Sequence, residues 1–378
     1  MDKQIRVAHI IGKWLGGGVE SVVMNYYRNI DRDKVQFDFI CDDDSTKIPY
    51  EEIESLGGKV ILIPPYQKVF KYHKRLKQVL KDGNYKIVHS HINTLSVFSL
   101  YAAKCAKVPI RIAHSHSTTN KVEKKKNIIK VILRPFVKLF ANEYMCCSEL
   151  AGRWLFGNKK YDSGKVYLLN NAIDLNKFKY DENARKSIRS ELDIQDNTLV
   201  VGHAGRFVEQ KNHSYLIDIF NEIHKFNDNT KLLLLGDGPL LSKMKDKVHS
   251  LSLDENVVFL GSRQDAYRYY SAMDIFVFPS LYEGLGLVGV EAQATGLYCL
   301  VANNLPNEVA VTNNIKFLSI TAEPKNWASI ALEKLNDNNI DRINAYKNIV
   351  DTKFNIENEA CKLVKYYNNF IEILDNKM

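Results

Sequence analysis

The residues best suited to chemistry stand late in the chain. In Pro279-Ser280-Leu281-Tyr282-Glu283-Gly284-Leu285-Gly286-Leu287-Val288-Gly289-Val290-Glu291, two carboxylates lie about two helical turns apart. Gly284 and Gly286 let the backbone approach a ligand closely, and a helix starting near Leu287 would aim its free N–H groups at the same place. Glu283 and Glu291 so placed can grip hydroxyls at opposite ends of an elongated polyhydroxy ligand. Upstream, Gly205-Arg206-Phe207-Val208-Glu209-Gln210-Lys211-Asn212 offers a planar guanidinium and a compact ammonium, a pair fitted to a diphosphate. Leu235-Gly236-Asp237-Gly238 adds a second glycine turn, and Gly16-Gly17-Gly18 a third near the start. Gly17 and Gly18, opening a helix, suit a phosphate. Taken alone they describe a tight strand-to-helix turn equally well, and the G-x-G-x-x-G pattern of dinucleotide enzymes is absent.

Positioning these groups requires strands that end at one edge of a sheet. Apolar runs at 5–11, 37–41, 60–64, 86–91, 110–116, 144–148 and 166–170 alternate with segments of helical length such as 95–106 and 128–141. Several runs are apolar throughout, as in parallel strands covered on both faces. After a polar stretch near Asp174 the rhythm restarts at 199–205, 231–236, 257–261, 275–280 and 298–303. The expectation is an α/β chain of two tandem Rossmann-like domains facing a cleft, over 1–175 and 176–355. A final amphipathic helix over 356–378 would return to the first domain.

The string Glu283 to Glu291, with Arg206, Lys211 and the tandem domains, resembles family 4 of the glycosyltransferases, retaining enzymes of the GT-B fold, over nearly the whole chain. The stretches RIAHSHST (111–118) and VANNLPNEV (301–309) further resemble bacterial members that build capsule, exopolysaccharide or O-antigen. The resemblance implies a nucleotide-diphosphate sugar donor, UDP-linked, on the second domain and a hydroxyl of a lipid-linked glycan as acceptor on the first. Glu291 would hold the ribose, Glu283 the transferred sugar, and Arg206 and Lys211 the diphosphate. Gly236 and the backbone of Gly284, Leu285, Gly286 and Leu287 would complete the donor site. Gly17 and Gly18 would close on the diphosphate, and His116, or else His114, would face the sugar. Tyr298 stands where the family commonly has Pro, which blurs the start of that strand.

With two cations and helix N-termini available, no metal or other cofactor is expected. Asp42-Asp43-Asp44 imitates a D-x-D metal clasp but reads better as a solvated turn. His89, His91, His114 and His116 fall at adjacent strand ends, and their spacing demands no zinc. The six cysteines form no CxxC pair, and five or six of them read as buried thiols. Residues 1–174 hold 29 Lys and Arg against 17 Asp and Glu, the remainder 23 against 27. The basic half therefore prefers anionic partners. Its stretch 121–138 interleaves Lys and Arg with Ile128, Ile129, Val131, Ile132, Leu133 and Phe136, which suits an anionic membrane surface and an ordinary surface helix alike. Pro135 should kink or end that helix. No nucleic-acid module accompanies the charge. A cytoplasmic enzyme, in peripheral contact with the inner face of the cell membrane, is expected. A nucleotide-sugar epimerase of the same architecture and a non-catalytic sugar-nucleotide binding protein are the alternatives.

Overall fold

The structure, a computed structural model, describes residues 4–117, 124–335 and 341–376. The chain divides into two compact units, Met1–Ala172 with Ile356–Met378, and Ile173–Asn355. The first holds β1 (Ile5–Gly12), β2 (Val35–Asp42), β3 (Lys59–Ile63), β4 (Ile87–Ser90), β5 (Ile110–Ser115), β6 (Glu143–Cys146) and β7 (Val166–Leu168). Their order across the sheet is β3-β2-β1-β4-β5-β6-β7, and every pairing is parallel. All eight residues of β2 are buried, the signature of a strand covered on both faces. The helix Ile356–Asp375 belongs to this unit: its Tyr367 lies 2.6 Å from His89 Nδ1, and its Glu359 accepts from the Asn170 side chain at 3.1 Å.

The second unit holds β8 (Leu199–Ala204), β9 (Thr230–Leu235), β10 (Val257–Gly261), β11 (Ile275–Phe278), β12 (Tyr298–Ala302) and β13 (Ile315–Leu318), in the order β10-β9-β8-β11-β12-β13 and again all parallel. Both sheets reverse their winding beside their first strand, at β1/β4 and at β8/β11. That is where open α/β sheets bind ligands, outside the carboxyl ends of the strands. β12 starts at Tyr298 itself. β13 is missing from the sequence expectation because none of its four residues is buried and Lys316 is exposed, leaving neither a long apolar run nor a clear alternation.

Three expectations need correction. Pro135 neither ends nor interrupts its helix, which runs Lys124–Phe140; Pro135 is exposed, where water can satisfy the carbonyl its missing N–H releases. Only Cys41, Cys146 and Cys299 are buried, while Cys105 and Cys147 are intermediate and Cys361 sits on the exposed face of its helix. Asp42 is not part of a solvated turn but the buried last residue of β2, leaving Asp43 and Asp44 outside.

Burial, with Asp44 and Asp43 adding repulsion, pushes the Asp42 pKa from 3.8 up to about 6. The folded protein thus keeps a proton that the unfolded chain releases, and stability falls as pH rises between those two values. The accumulated cost is about 3 kcal/mol at 1.36 kcal/mol per pKa unit. Asp42→Asn should therefore be the more stable protein at neutral pH, by up to about 3 kcal/mol, with the difference vanishing below about pH 4. Urea unfolding of both proteins across that range measures it.

Candidate active site

In the second unit, β8 ends at Ala204 and the chain passes through Gly205 and Arg206 into a short turn, Glu209–Lys211. Asn212, in the left-handed region at φ 55°, then starts the helix His213–Phe226. Across the winding reversal, β11 leads to Glu283. Lys211 Nζ meets Glu283 Oε1 at 2.7 Å, with the side chains only 15% and 9% exposed. Gln210 braces the same loop, donating to the Tyr282 carbonyl at 2.9 Å and to Glu283 Oε2 at 3.3 Å. Gly236 follows β9 at φ 134°, and a Cβ there would lie 2.1 Å from the Gly205 carbonyl oxygen, so only glycine lets these two loops touch.

Gly286, at φ 83°, caps the helix Leu287–Ala294, which carries Glu291. Tyr270 donates its hydroxyl to Glu291 Oε2 at 2.9 Å. Burial raises the Glu291 pKa, while the Tyr270 hydrogen bond and the charges of Lys211 and Lys177 oppose that rise. Lys211 thus acts on both carboxylates. Arg206 is exposed, and among the described residues it makes no ion pair. Arg342 ties the surroundings together, donating to the carbonyls of Tyr270 at 3.0 Å, Met273 at 2.8 Å and Thr295 at 3.2 Å.

In the first unit, Gly17 caps the helix Gly18–Asn29. Glu20 folds back over this loop, its Oε1 accepting from the Leu15 N–H at 3.0 Å. Among the described residues a Cβ on Gly18 would meet nothing within 4 Å, while one on Gly17 would lie 2.9 Å from Glu20 Oε2. Beyond it, five imidazoles gather at the carboxyl ends of β1, β4 and β5: His9, His89, His91, His114 and His116. One ring nitrogen from each of His9, His89 and His91 lies within 4.8 Å of the other two, and the same holds for His91, His114 and His116. Either trio has a donor set suited to an imidazole-preferring ion. Most of these nitrogens, however, already bond one another: His9 Nδ1 to His91 Nε2 at 2.9 Å, His91 Nδ1 to His116 Nε2 at 2.9 Å, and His89 Nε2 to His114 Nδ1 at 3.0 Å. Burial lowers the pKa of all five, to about 3 for His9 and His116, so the rings are neutral at neutral pH.

Residues 16–177 match the sequence family described as Glycosyltransferase Family 4, and residues 184–350 match Glycosyl transferases group 1. A Bacillus subtilis protein designated glycosyltransferase EpsF is 34% identical over 333 residues, covering 86% of this chain and 87% of its own. The chain is a family 4 glycosyltransferase. The Escherichia coli UDP-Gal:alpha-D-GlcNAc-diphosphoundecaprenol alpha-1,3-galactosyltransferase is 25% identical over 390 residues, 99% of this chain and 98% of that one. Among solved structures, HepE of Anabaena in complex with UDP-glucose superimposes with a TM-score of 0.79 at 17% identity, covering 97% of this chain and 100% of that one. Sucrose-phosphate synthase of Thermosynechococcus elongatus gives 0.77 at 18% identity, covering 98% and 100%. These two likenesses establish the GT-B fold.

Within this family 4 glycosyltransferase, the structure joins Lys211 to Glu283 and, through its charge, to Glu291, and sets Gly236 against the Gly205 carbonyl next to Arg206, with Gly284, Leu285, Gly286 and Leu287 following Glu283 in the chain; in the first unit it stacks His114 on His116 at 3.9 Å, and Gly17 and Gly18 stand in the turn after β1. Sequence reasoning missed Tyr270, Gln210, Asn93 and His9. Tyr270 gives no local sign, since its helix brings it to Glu291 only through tertiary packing. His9 did leave a signal, as a polar residue within the apolar run of β1. Asn93 has a left-handed backbone at φ 52°, and its Oδ1 accepts the His116 backbone N–H at 2.8 Å.

The Lys211–Glu283 pair predicts a stability effect independent of any ligand. Lys211→Met leaves a largely buried carboxylate uncompensated and should cost about 3–5 kcal/mol. The double variant Lys211→Met/Glu283→Gln should recover most of that loss. Urea denaturation of the two single variants and the double variant gives the coupling.

Proposed function

We propose that this protein transfers a sugar, with retention of configuration, from a nucleotide diphosphate to a hydroxyl of a lipid-linked glycan in capsule, exopolysaccharide or O-antigen synthesis. The observation that carries the donor site is the Lys211–Glu283 ion pair at 2.7 Å, beside Glu291 and the exposed Arg206, at the carboxyl edge of one parallel sheet. Cleaving a sugar–phosphate bond develops positive charge on the ring and negative charge on the departing diphosphate, so preorganised donors are the chief requirement. Arg206 and Lys211 take the diphosphate. Glu283, released as Lys211 turns to phosphate, accepts from hydroxyls of the transferred sugar. Glu291 accepts from the ribose, oriented by Tyr270. Gly236 and the N–H groups from Gly284 to Leu287 line the path between, Gly17 and Gly18 serve the diphosphate, and His116 serves the sugar. Two cations and these N–H groups supply the stabilisation that a metal ion provides elsewhere, so no cofactor is needed. UDP is the nucleotide to test first, because the galactosyltransferase relative and the HepE complex both name it.

Arg206→Ala, Lys211→Ala and Glu283→Gln should each lower transfer by at least about 100- to 1,000-fold while the protein stays folded. The assay is sugar release from a panel of UDP, GDP and ADP sugars, with and without a lipid-diphosphate acceptor, with the anomeric configuration of the product read by NMR. Wild-type turnover that changes the donor sugar without any acceptor would identify an epimerase instead. Undiminished activity in all three variants would remove the site assignment.

Membrane contact belongs to the same proposal. The helix Lys124–Phe140 buries Val137 and half-buries Leu133 and Phe140, yet leaves Ile128, Ile129, Val131, Ile132, Phe136 and Leu139 between 45% and 62% exposed. An ordinary surface helix shows polar groups there. An apolar face on the basic half of the chain suits the interface of an anionic bilayer, where Lys and Arg add electrostatic attraction. Among the described residues no helix is long and apolar enough to cross a membrane, so the contact proposed is peripheral. Sedimentation with phosphatidylglycerol-containing vesicles should capture the protein. Ile128→Ser/Ile132→Ser/Phe136→Ser should release it, and phosphatidylcholine vesicles should bind it less.

A further inference from the structure

The five histidines exceed what one sugar contact needs, and their hydrogen bonds are ordered. His9 presents Nδ1 to Nε2 of His91, and His91 presents its own Nδ1 to Nε2 of His116, each at 2.9 Å. A neutral imidazole has one donor and one acceptor nitrogen, so fixing the proton on one ring of such a file fixes it on all. Only two polarities exist. In one, each ring carries its proton on Nδ1 and donates towards His116. In the other, every proton sits on Nε2 and the donation runs back to His9.

The inner end discriminates between them. His9 is 1% exposed, and among the described residues its Nε2 has no hydrogen-bond partner. Under the second polarity that atom is a buried N–H with nowhere to donate, a defect the large majority of buried side-chain polar groups avoid. Under the first it is an unshared lone pair, the milder defect. The file has little room to rearrange. His9 packs on Phe37 with ring centroids 3.8 Å apart, His91 stacks on His89 at 4.2 Å, and His116 stacks on His114 at 3.9 Å. The backbone of His116 is pinned by Asn93 at 2.8 Å.

We propose that His9 and His91 are positioning residues that hold His116 in the tautomer with its proton on Nδ1, so that this ring meets substrate as a hydrogen-bond donor and not as a base. The inference rests on the proposed sugar-facing role of His116, but its central claim, the tautomer, can be read without any turnover. Burial of the whole file, which lowers all three pKa values, keeps the donor uncharged.

The test is a long-range proton–nitrogen NMR spectrum of the ¹⁵N-labelled protein at neutral pH, with the His116 signals assigned by their loss in His116→Gln. The expected result is a single Nδ1–H tautomer at His116. His91→Asn, whose amide can stand at the Nδ1 position, should keep that tautomer and near-normal kcat. His91→Leu should give a tautomer mixture and lower kcat by about tenfold, one hydrogen bond's worth, with donor KM unchanged. An Nε2–H tautomer or a charged ring at His116 overturns the proposal, as does an unaltered tautomer in His91→Leu. Stoichiometric zinc, nickel or copper in the purified protein also overturns it and makes the cluster a metal site. Should His91→Leu fail to fold, the wild-type spectrum decides alone. A correct tautomer in a protein without transferase activity would sink the function and leave the file standing.

Discussion

Every strand in each of the two sheets runs the same way, and the placement of chemistry follows from that constraint. When all strands run parallel, each one releases the chain at the same edge, so loops far apart in sequence emerge side by side. In the second unit that edge receives Arg206 and Lys211 from β8, Gly236 from β9 and Glu283 from β11. In the first it receives the Gly17 turn from β1, His91 and Asn93 from β4 and His116 from β5. Lys211 and Glu283 are 72 residues apart and still meet at 2.7 Å, because β8 and β11 are hydrogen-bonded neighbours pointing the same way.

Gathering polar groups at such an edge has a cost, and the structure shows how it is offset. A carboxylate or ammonium withdrawn from water is tolerated when paired and hydrogen-bonded. Glu283 has Lys211 and Gln210, and Glu291 has Tyr270. Asp274, at the opposite, amino end of β11, binds Arg185 and Arg189 at 2.7 Å each. In the first unit the equivalent problem is five imidazoles, answered by bonding them to one another and keeping them neutral. The proposed function gives both partners of the Lys211–Glu283 pair a second use: a diphosphate would compete for the ammonium, and sugar hydroxyls for the carboxylate. The low effective dielectric around the pair strengthens its own attraction and would strengthen that of an anionic ligand alike.

Much of this was legible beforehand, for identifiable reasons. Many strands stand out because burial on two faces leaves uninterrupted apolar runs, as in Leu232–Leu235 of β9 and Ile275–Phe278 of β11. Glycines at 236 and 286, both at positive φ, mark places where a side chain would strain the turn and collide with Gly205 or Phe278. What escaped notice lacked such marks. β13 is short and half-exposed, Asp42 looks like its two solvated neighbours until the sheet buries it, and Cys361 looks like any other thiol until its helix turns it outward. The exposed apolar face of Lys124–Phe140 is invisible to periodicity, since a helix apolar on most sides gives no hint of which side is covered.

By itself the sequence determined the alternation of strands and helices, the two-unit plan and the residue types of the candidate site, because these depend on local patterning and short spacing. Only the tertiary structure decided who partners whom: that Lys211 holds Glu283, that Tyr270 orients Glu291, that His9 joins a file ending at His116. Those pairings depend on strand order and on which helix covers which face. Both are set by the burial of the whole core and by no single segment, so no reading along the chain could supply them.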